Sequence, residues 1–543
     1  MPRSKMRIVL IGLTGVLVAT AVAILAGRHE PGPATDVLPA TSASALPGGK
    51  PLAATRLAES GVQANWVVQE NQLNGSTGWR ITGAPATGFI QGFADHTYAT
   101  VGQPVRVYVS TSAPTFHIEA YRIGYYGGTG GRLAWESTVT PGRVQPKCPL
   151  TTGINMVSCT NWTPSIDVQV TEAFTQGDYL LKLIGAHNEQ SYVPLTVWDP
   201  ASHAAYLVKN DVYTWQAWNS YGGYDYYQGA GRCPAGVFPL CTRSRVVSYD
   251  RPYSDGDGSG QFLSMEAPLV RFLEQHGLDV TYVNDVTVQE HPDVLDNHHA
   301  LVSLGHDECW SLGERNAVVA ASQTGLNLAV FGASAILRHV RPQPSPLGAD
   351  RELVDYRDAA ADPLRGKGDP KDITANTWGS APANLPASEL VGEAYNGSLR
   401  PGVHAAMTIT DQSAWIFANT GLDGSTTLPG VIASDVDSLA PAAVSEHPAG
   451  VQVFAHSALP VKDGQSNRNS GGTFYSDMTY YTDPASKAGV WDSGTGNWIP
   501  ALAGGPAAGA VQAMSTNVLW LFGQGPAGAL RPSVANWHDY YPG

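Results

Sequence analysis

The chain has 543 residues, a formal net charge of -14 and only 14% charged residues. The acidic balance and the lack of basic clusters exclude nucleic acid and anionic membrane surfaces as partners. Plentiful Gly, Pro, Tyr and Trp fit a loop-rich β and α/β protein of two or three domains rather than a helical one.

Arg3, Lys5 and Arg7 precede an apolar run from Ile8 to Ala26, the layout of a secretory signal. At 1.5 Å per residue the run spans roughly 28 Å, one hydrocarbon core, so its length fits a cleaved signal and a retained anchor equally. Ala19, Ala21, Ala23 and Ala26 suit a signal peptidase, whereas Arg28 suits an anchor. Residues 1–30 are therefore read as a signal peptide or signal anchor, and no cysteine follows to carry a lipid. Residues 31–60 are rich in Pro, Ala, Ser and Thr and read as a linker. The expected location is secreted or extracellular, with a membrane tether through the N-terminal helix as the alternative.

Residues 61–199 show short alternating strands. Val105, Val107 and Val109 alternate with Arg106 and Tyr108, and Phe116, Ile118 and Ala120 with His117 and Glu119. With Tyr179 to Ile184 and Tyr192 to Trp198, they predict an antiparallel, immunoglobulin-like β-sandwich. Five cysteines in an oxidising compartment pair by proximity. Cys148 with Cys159 and Cys233 with Cys241 close two short loops, leaving Cys309 as a small buried hydrophobe. The run Tyr121 to Gly128 reads as a packed sheet corner, or as an aromatic patch facing carbohydrate.

From residue 200 the pattern changes to strands alternating with helices. Strands are expected at Ala204 to Val208, Leu278 to Val283, Ala300 to Leu304 and Leu326 to Phe331. A helix is expected from Phe262 to His276, stopped by Gly277, and another behind the capping box Ser311-Leu312-Gly313-Glu314. The alternation predicts a parallel, doubly wound sheet with helices on both faces over residues 200–543. A polar surface excursion interrupts it at about 341–384, strand-like pieces resume near Leu390, Ala405 and Trp415, and a last helix covers Ala508 to Phe522.

Ligands of open α/β sheets bind beyond the carboxyl ends of the strands. Gly305-His306-Asp307-Glu308 lies at such an end. In an extended backbone His306 and Glu308 face one crevice, as metal ligand and proton shuttle or as an acid and base pair. Two tyrosine-rich segments, Tyr213 to Tyr227 and Ser248 to Tyr253, belong to nearby loops. Phenolate and carboxylate oxygens are hard donors suited to a strongly charged cation such as ferric iron.

The chain resembles the large (beta) subunit of N,N-dimethylformamidase, in particular secreted relatives of its C-terminal catalytic region. The resemblance is carried by Glu119 to Gly128, Trp215-Gln216-Ala217-Trp218-Asn219, Ser248-Tyr249-Asp250-Arg251-Pro252-Tyr253, Gly305 to Trp310 and Ser476 to Tyr481. It implies a glutamine-amidotransferase-like α/β domain without the amidotransferase cysteine, and a mononuclear ferric iron held by two tyrosines and a glutamate. Position by position it implies Glu308, Tyr227 and Tyr253 as metal ligands and His306 as the catalytic histidine. Tyr221 and Tyr249 stand where relatives often carry Trp or Phe. Relatives commonly read Gly-Ala-Asn where this chain has Gly332-Ala333-Ser334, and tyrosine where it has Cys309. Ser334, Tyr480 and Tyr481 are assigned to the substrate pocket, with packing beneath the final loop as the other role of the two tyrosines. No segment corresponds to a small subunit. The functional expectation is an exported iron-dependent hydrolase of a small amide; the alternative is a non-catalytic cell-surface protein that binds glycans.

Overall fold

The computed structural model describes residues 62–82, 89–231, 233, 241–422, 424, 426–439, 447–459 and 474–541. The expected leader and linker lie outside these residues. Among the described residues no helix is long and apolar enough to cross a membrane.

A short helix, α1 (Asn65–Glu70), precedes two sheets built from β1 (Ile90–Ala94), β2 (Tyr98–Ala99), β3 (Pro104–Thr111), β4 (Thr115–Ile123), β5 (Gly131–Glu136), β6 (Ile166–Gln169), β7 (Gly177–Gly185) and β8 (Gln190–Val197). One sheet has the order β1-β3-β6 and the other β2-β8-β7-β4-β5, all antiparallel except the β2/β8 pair. Alternation does what the sequence predicts: Val105, Val107 and Val109 of one sheet and Ile118, Ala120, Leu181 and Leu183 of the other share one core. Cys148–Cys159 and Cys233–Cys241 are both disulfides, with Cα atoms 4.5 and 5.7 Å apart. Two such bridges fit an oxidising or extracellular environment.

The largest sheet contains β9 (Tyr206–Asn210), β10 (Val280–Asn284), β11 (Ala300–Gly305), β12 (Asn327–Gly332), β13 (Gln452–Ala458), β14 (Tyr475–Thr482) and β15 (Gly489–Asp492), in the order β10-β9-β11-β12-β15-β14-β13. The first five in that order are mutually parallel; β14 and β13 add an antiparallel edge. The sheet is therefore mixed rather than wholly parallel. Ser476 and Asp477 of β14 interrupt its sequence, so the apolar run that marks a buried parallel strand is missing there.

Helices α2 (Val212–Trp218), α3 (Ala267–Gln275), α4 (Leu312–Gln323), α5 (Trp498–Ala503) and α6 (Ala508–Phe522) connect or cover this sheet. Tyr206, Val208 and Val302 pack with Leu269, Leu273, Trp498 and Val518 on one face, while Leu207, Leu301 and Leu328 pack with Val318 on the other. A π-helical turn, Phe262–Glu266, leads into α3, and Gly277 follows it at φ 64°. Ser311 caps α4 by accepting from Glu314 N at 3.1 Å. The Glu314 carboxylate turns inward to Lys209 Nζ, 3.1 Å away, so the capping box is only half made.

The stretch at 341–384 opens as a hairpin of Arg338–Ser345 with Gly348–Val354, and further on buries Ile373, Ala375 and Trp378. Strands occur at Ala394–Ser398 and Ala405–Thr408, whereas Trp415–Phe417 is a 3-10 turn. The sandwich is locked to the α/β layers by a fully buried ion pair, Arg122 of β4 with Glu274 of α3 at 2.6 Å.

Candidate active site

Parallel β11 ends at Gly305, whose φ is 57°; a Cβ there would lie 2.7 Å from Met265 O, so only glycine makes this turn. The next three side chains then diverge. Asp307 points into the core, where its Oδ2 accepts from Ser303 Oγ at 2.6 Å and its Oδ1 from Lys209 Nζ at 2.9 Å and Trp310 Nε1 at 2.7 Å. Thr214 Oγ1 accepts from both Glu308 N and Cys309 N at 3.0 Å. With its backbone fixed from below, the segment turns His306 and Glu308 outward together, Nε2 to Oε2 3.7 Å.

Glu308 accepts three hydrogen bonds. Its Oε1 accepts from the Tyr227 hydroxyl and from Arg338 Nε at 3.2 Å, and its Oε2 from Trp218 Nε1 at 2.9 Å. Trp218 stacks on Tyr227 with ring centroids 3.9 Å apart, and Arg357 lies over the Tyr227 ring at 4.4 Å. His306 Nδ1 is 3.2 Å from Gln261 Oε1, and Nε2 is 3.5 Å from Asp435 Oδ2. Nε2 is buried and makes no hydrogen bond of acceptable geometry.

The electrostatics follow from burial opposed by charge. Burial works to lower the His306 pKa, but the Asp435 contact and the Glu308, Asp435 and Asp307 charges outweigh it and hold it above the usual imidazole value. Burial likewise works to raise Asp435, yet contacts with His306, Ser334 and Ser398 hold it below the usual carboxylate range. Burial and then the Glu308 charge push the Tyr227 phenol far up, so it stands as a neutral donor. Cys309 is fully buried, and burial with the Glu308 charge pushes its thiol far up, which leaves no thiolate nucleophile.

Ser334 reaches the same site: its Oγ donates to Asp435 Oδ2 at 2.7 Å and its N–H to Asp437 Oδ1 at 2.9 Å. Tyr253 is placed elsewhere. Its ring meets Trp215 edge-on at 6.2 Å and lines a cavity with Tyr249, Phe262, Asp178 and Arg351, whose walls include neither His306 nor Glu308. Tyr480 donates to Arg531 O at 2.7 Å and Tyr481 to Leu390 O at 2.6 Å, and both are buried in packed cores. Tyr126 is buried with its hydroxyl on Glu70 Oε1 at 2.6 Å, so the Tyr121 to Gly128 run is a sheet corner.

Sequence reading missed Asp435, Trp218, Arg338 and Gln261. Of these, only Trp218 belongs to a quoted motif; the others arrive from distant loops and strands with no local signal.

The profile of a family described as N,N-dimethylformamidase beta subunit-like, C-terminal, matches residues 117–512, well over half of the chain. The chain belongs to that family. No curated protein matched the chain. The family match spans every residue of the His306, Glu308, Tyr227, Ser334 and Asp435 cluster.

The ferric ion expected from the family resemblance fits these residues in part. Glu308 and Tyr227 bring hard oxygens into contact, and His306 Nε2 is buried beside them without a hydrogen bond. The second tyrosine of the expected set, Tyr253, faces the other cavity, and Trp218 Nε1 holds the carboxylate oxygen nearest His306. Among the described residues, groups of three or more His or acidic side chains with ligand atoms in mutual reach occur elsewhere, at Asp211, Asp285 and Asp307 and at His117, Glu119 and Glu136.

Proposed function

We propose that the protein is an exported, metal-dependent amidohydrolase that splits a small amide into carboxylate and amine, with an immunoglobulin-like sandwich supporting a glutamine-amidotransferase-like α/β domain. The observation that carries this reading is His306 Nε2, buried, unbonded and set between Glu308 and Asp435 at a strand end of a dimethylformamidase-like chain.

Glu308 and Tyr227 would hold the metal, iron by the family resemblance, with His306 beside it. When bound, the metal polarises the amide carbonyl and acidifies water. In the neutral tautomer His306 donates through Nδ1 to Gln261 Oε1, which leaves the Nε2 lone pair to take a proton from water. The imidazolium so formed is stabilised by the carboxylates of Asp435 and Glu308, and it returns the proton to the leaving amine. Ser334 Oγ fixes the Asp435 carboxylate. Trp218 and Tyr227, stacked on each other, form an apolar wall that limits water around the reacting groups.

The test is a screen of small amides, N,N-dimethylformamide and acetamide included, with the purified iron-loaded protein. Release of amine that falls about 10²-fold or more in His306→Ala and Glu308→Ala is the expected result. No turnover of any amide, or turnover unchanged in both variants, overturns the reading.

A further inference from the structure

The run beginning at Glu119 takes no part in the site just described. His117 and Glu119 stand two apart on β4 and therefore share one face. Their neighbours Phe116, Ile118 and Ala120 fill the sandwich core, so that face is the outer one. Glu136 on β5 is the direct cross-strand partner of Glu119. His117 Nε2 lies 3.7 Å from Glu119 Oε1 and 4.0 Å from Glu136 Oε1, and one ligand atom from each residue falls within 4.8 Å of the other two.

Two features favour a ligand here over a plain polar surface. Like charges directly opposite on neighbouring strands repel, and Lys182 of β7, paired with Glu119 on its other side, is near enough to feel that charge but sends Nζ to the carbonyl oxygens of Gly78 and Arg80 at 2.8 and 2.9 Å rather than into an ion pair with it. In addition, buried Tyr121 donates to Glu119 Oε2 at 2.7 Å, leaving Oε1 turned towards His117. Outer hydrogen bonds that orient a ligand carboxylate in this way accompany metal sites.

We propose that His117, Glu119 and Glu136 form a divalent metal site of the zinc class on the outer face of the sandwich. One imidazole and two carboxylates select a borderline cation such as Zn²⁺ over Ca²⁺ or Mg²⁺, which prefer all-oxygen sets. Three protein ligands leave the fourth tetrahedral position to water. The side chains are 26%, 20% and 57% exposed, so the ion enters from solvent without opening the fold. A bound ion clamps β4 to β5 and offsets the Glu119–Glu136 repulsion.

The experiment is calorimetric titration of the full chain with Zn²⁺ alone, and with Ca²⁺ alone, in wild type, His117→Ala, Glu136→Gln and Glu308→Ala, joined to the zinc anomalous map of Zn²⁺-soaked crystals. The expected result is one Zn²⁺ site weakened at least 10-fold in His117→Ala and in Glu136→Gln, retained in Glu308→Ala, with an anomalous peak between the three side chains and no comparable Ca²⁺ binding. Glu136 is exposed, so its variant folds whatever becomes of His117→Ala. Equal Zn²⁺ affinity in wild type and both sandwich variants, no peak at this position, or binding only at millimolar concentration as an adventitious ion overturns the proposal. Loss of amide turnover with this site intact counts against the proposed function alone.

Discussion

Asp435 Oδ2 lies 3.5 Å from His306 Nε2 and also accepts the Ser334 hydroxyl at 2.7 Å, so one carboxylate joins the end of β11 to the loop after β12. The contact gives His306 an acidic partner on the side away from Gln261, the arrangement that lets an imidazole accept a proton at Nε2 and keep its orientation. The two variants therefore differ in size of effect. His306→Ala removes the proposed base and is expected to lower amide turnover about 10²–10⁴-fold. Asp435→Asn keeps the shape and is expected to lower kcat by a smaller factor with KM little changed. Initial-rate kinetics on both proteins checks this; an Asp435→Asn enzyme of wild-type kcat would remove Asp435 from the reaction.

Ser334 sits at φ 63°, a conformation that costs a residue with a Cβ about 1 kcal/mol or more. Its Oγ bond to Asp435 offsets part of that cost. Ser334→Ala keeps the strain and loses the bond, and is expected to lower stability by about 1 kcal/mol. Ser334→Gly loses the bond and relieves the strain, so its stability should stay near wild type. Urea unfolding of the pair decides it; an equal loss in both variants contradicts the strain argument.

How far the sequence revealed this site depends on how local each part is. His306 and Glu308 are legible because strand period and position at a strand end are local properties. Asp435 is illegible because it meets His306 only once the chain has returned to the same sheet end. The two tyrosines show the same limit within a few residues. Trp215 and Trp218 stand three apart on α2, yet Trp215 Nε1 bonds Glu266 at 2.5 Å whereas Trp218 Nε1 bonds Glu308 at 2.9 Å. Tyr253 follows the first indole and Tyr227 the second. The parallel half of the large sheet was readable from apolar strands alternating with helices, but its antiparallel edge was not, since Ser476 and Asp477 interrupt the apolar pattern.

The Arg122–Glu274 pair is fully buried, and Tyr282 also donates to Glu274, at 2.7 Å. Removing one partner leaves an uncompensated charge, so Arg122→Met should cost about 3–5 kcal/mol of stability. The double variant Arg122→Met with Glu274→Gln should recover part of the loss. Denaturant midpoints for the cycle give the answer, and a double variant no more stable than Arg122→Met would argue against charge burial as the cause.

Glu70 of α1 accepts from Tyr126 and Arg132, both at 2.6 Å. Burial works to raise its pKa, but the Arg122 charge, the Tyr126 bond and Arg132 outweigh it and hold the carboxyl below its ordinary value. A depressed folded pKa gives stability that is fully present above the unfolded value of about 4.3 and is lost as pH falls through the folded one. The advantage of wild type over Glu70→Gln should therefore be largest at pH 7 and shrink below about pH 4.3. Unfolding curves at pH 7 and pH 3 measure it; a constant difference would contradict the linkage.

Iron analysis with the visible absorption spectrum of the purified protein, compared with Glu308→Ala, Tyr227→Phe and Tyr253→Phe, tests whether Glu308 and Tyr227 hold a metal. The expected result is about one iron per chain and a tyrosinate-to-iron absorption band. Both should be lost in Glu308→Ala, the band should be lost in Tyr227→Phe, and Tyr253→Phe should leave the band in place. A folded wild-type protein that is colourless and binds no metal, or a band that survives Tyr227→Phe and vanishes in Tyr253→Phe, would contradict it.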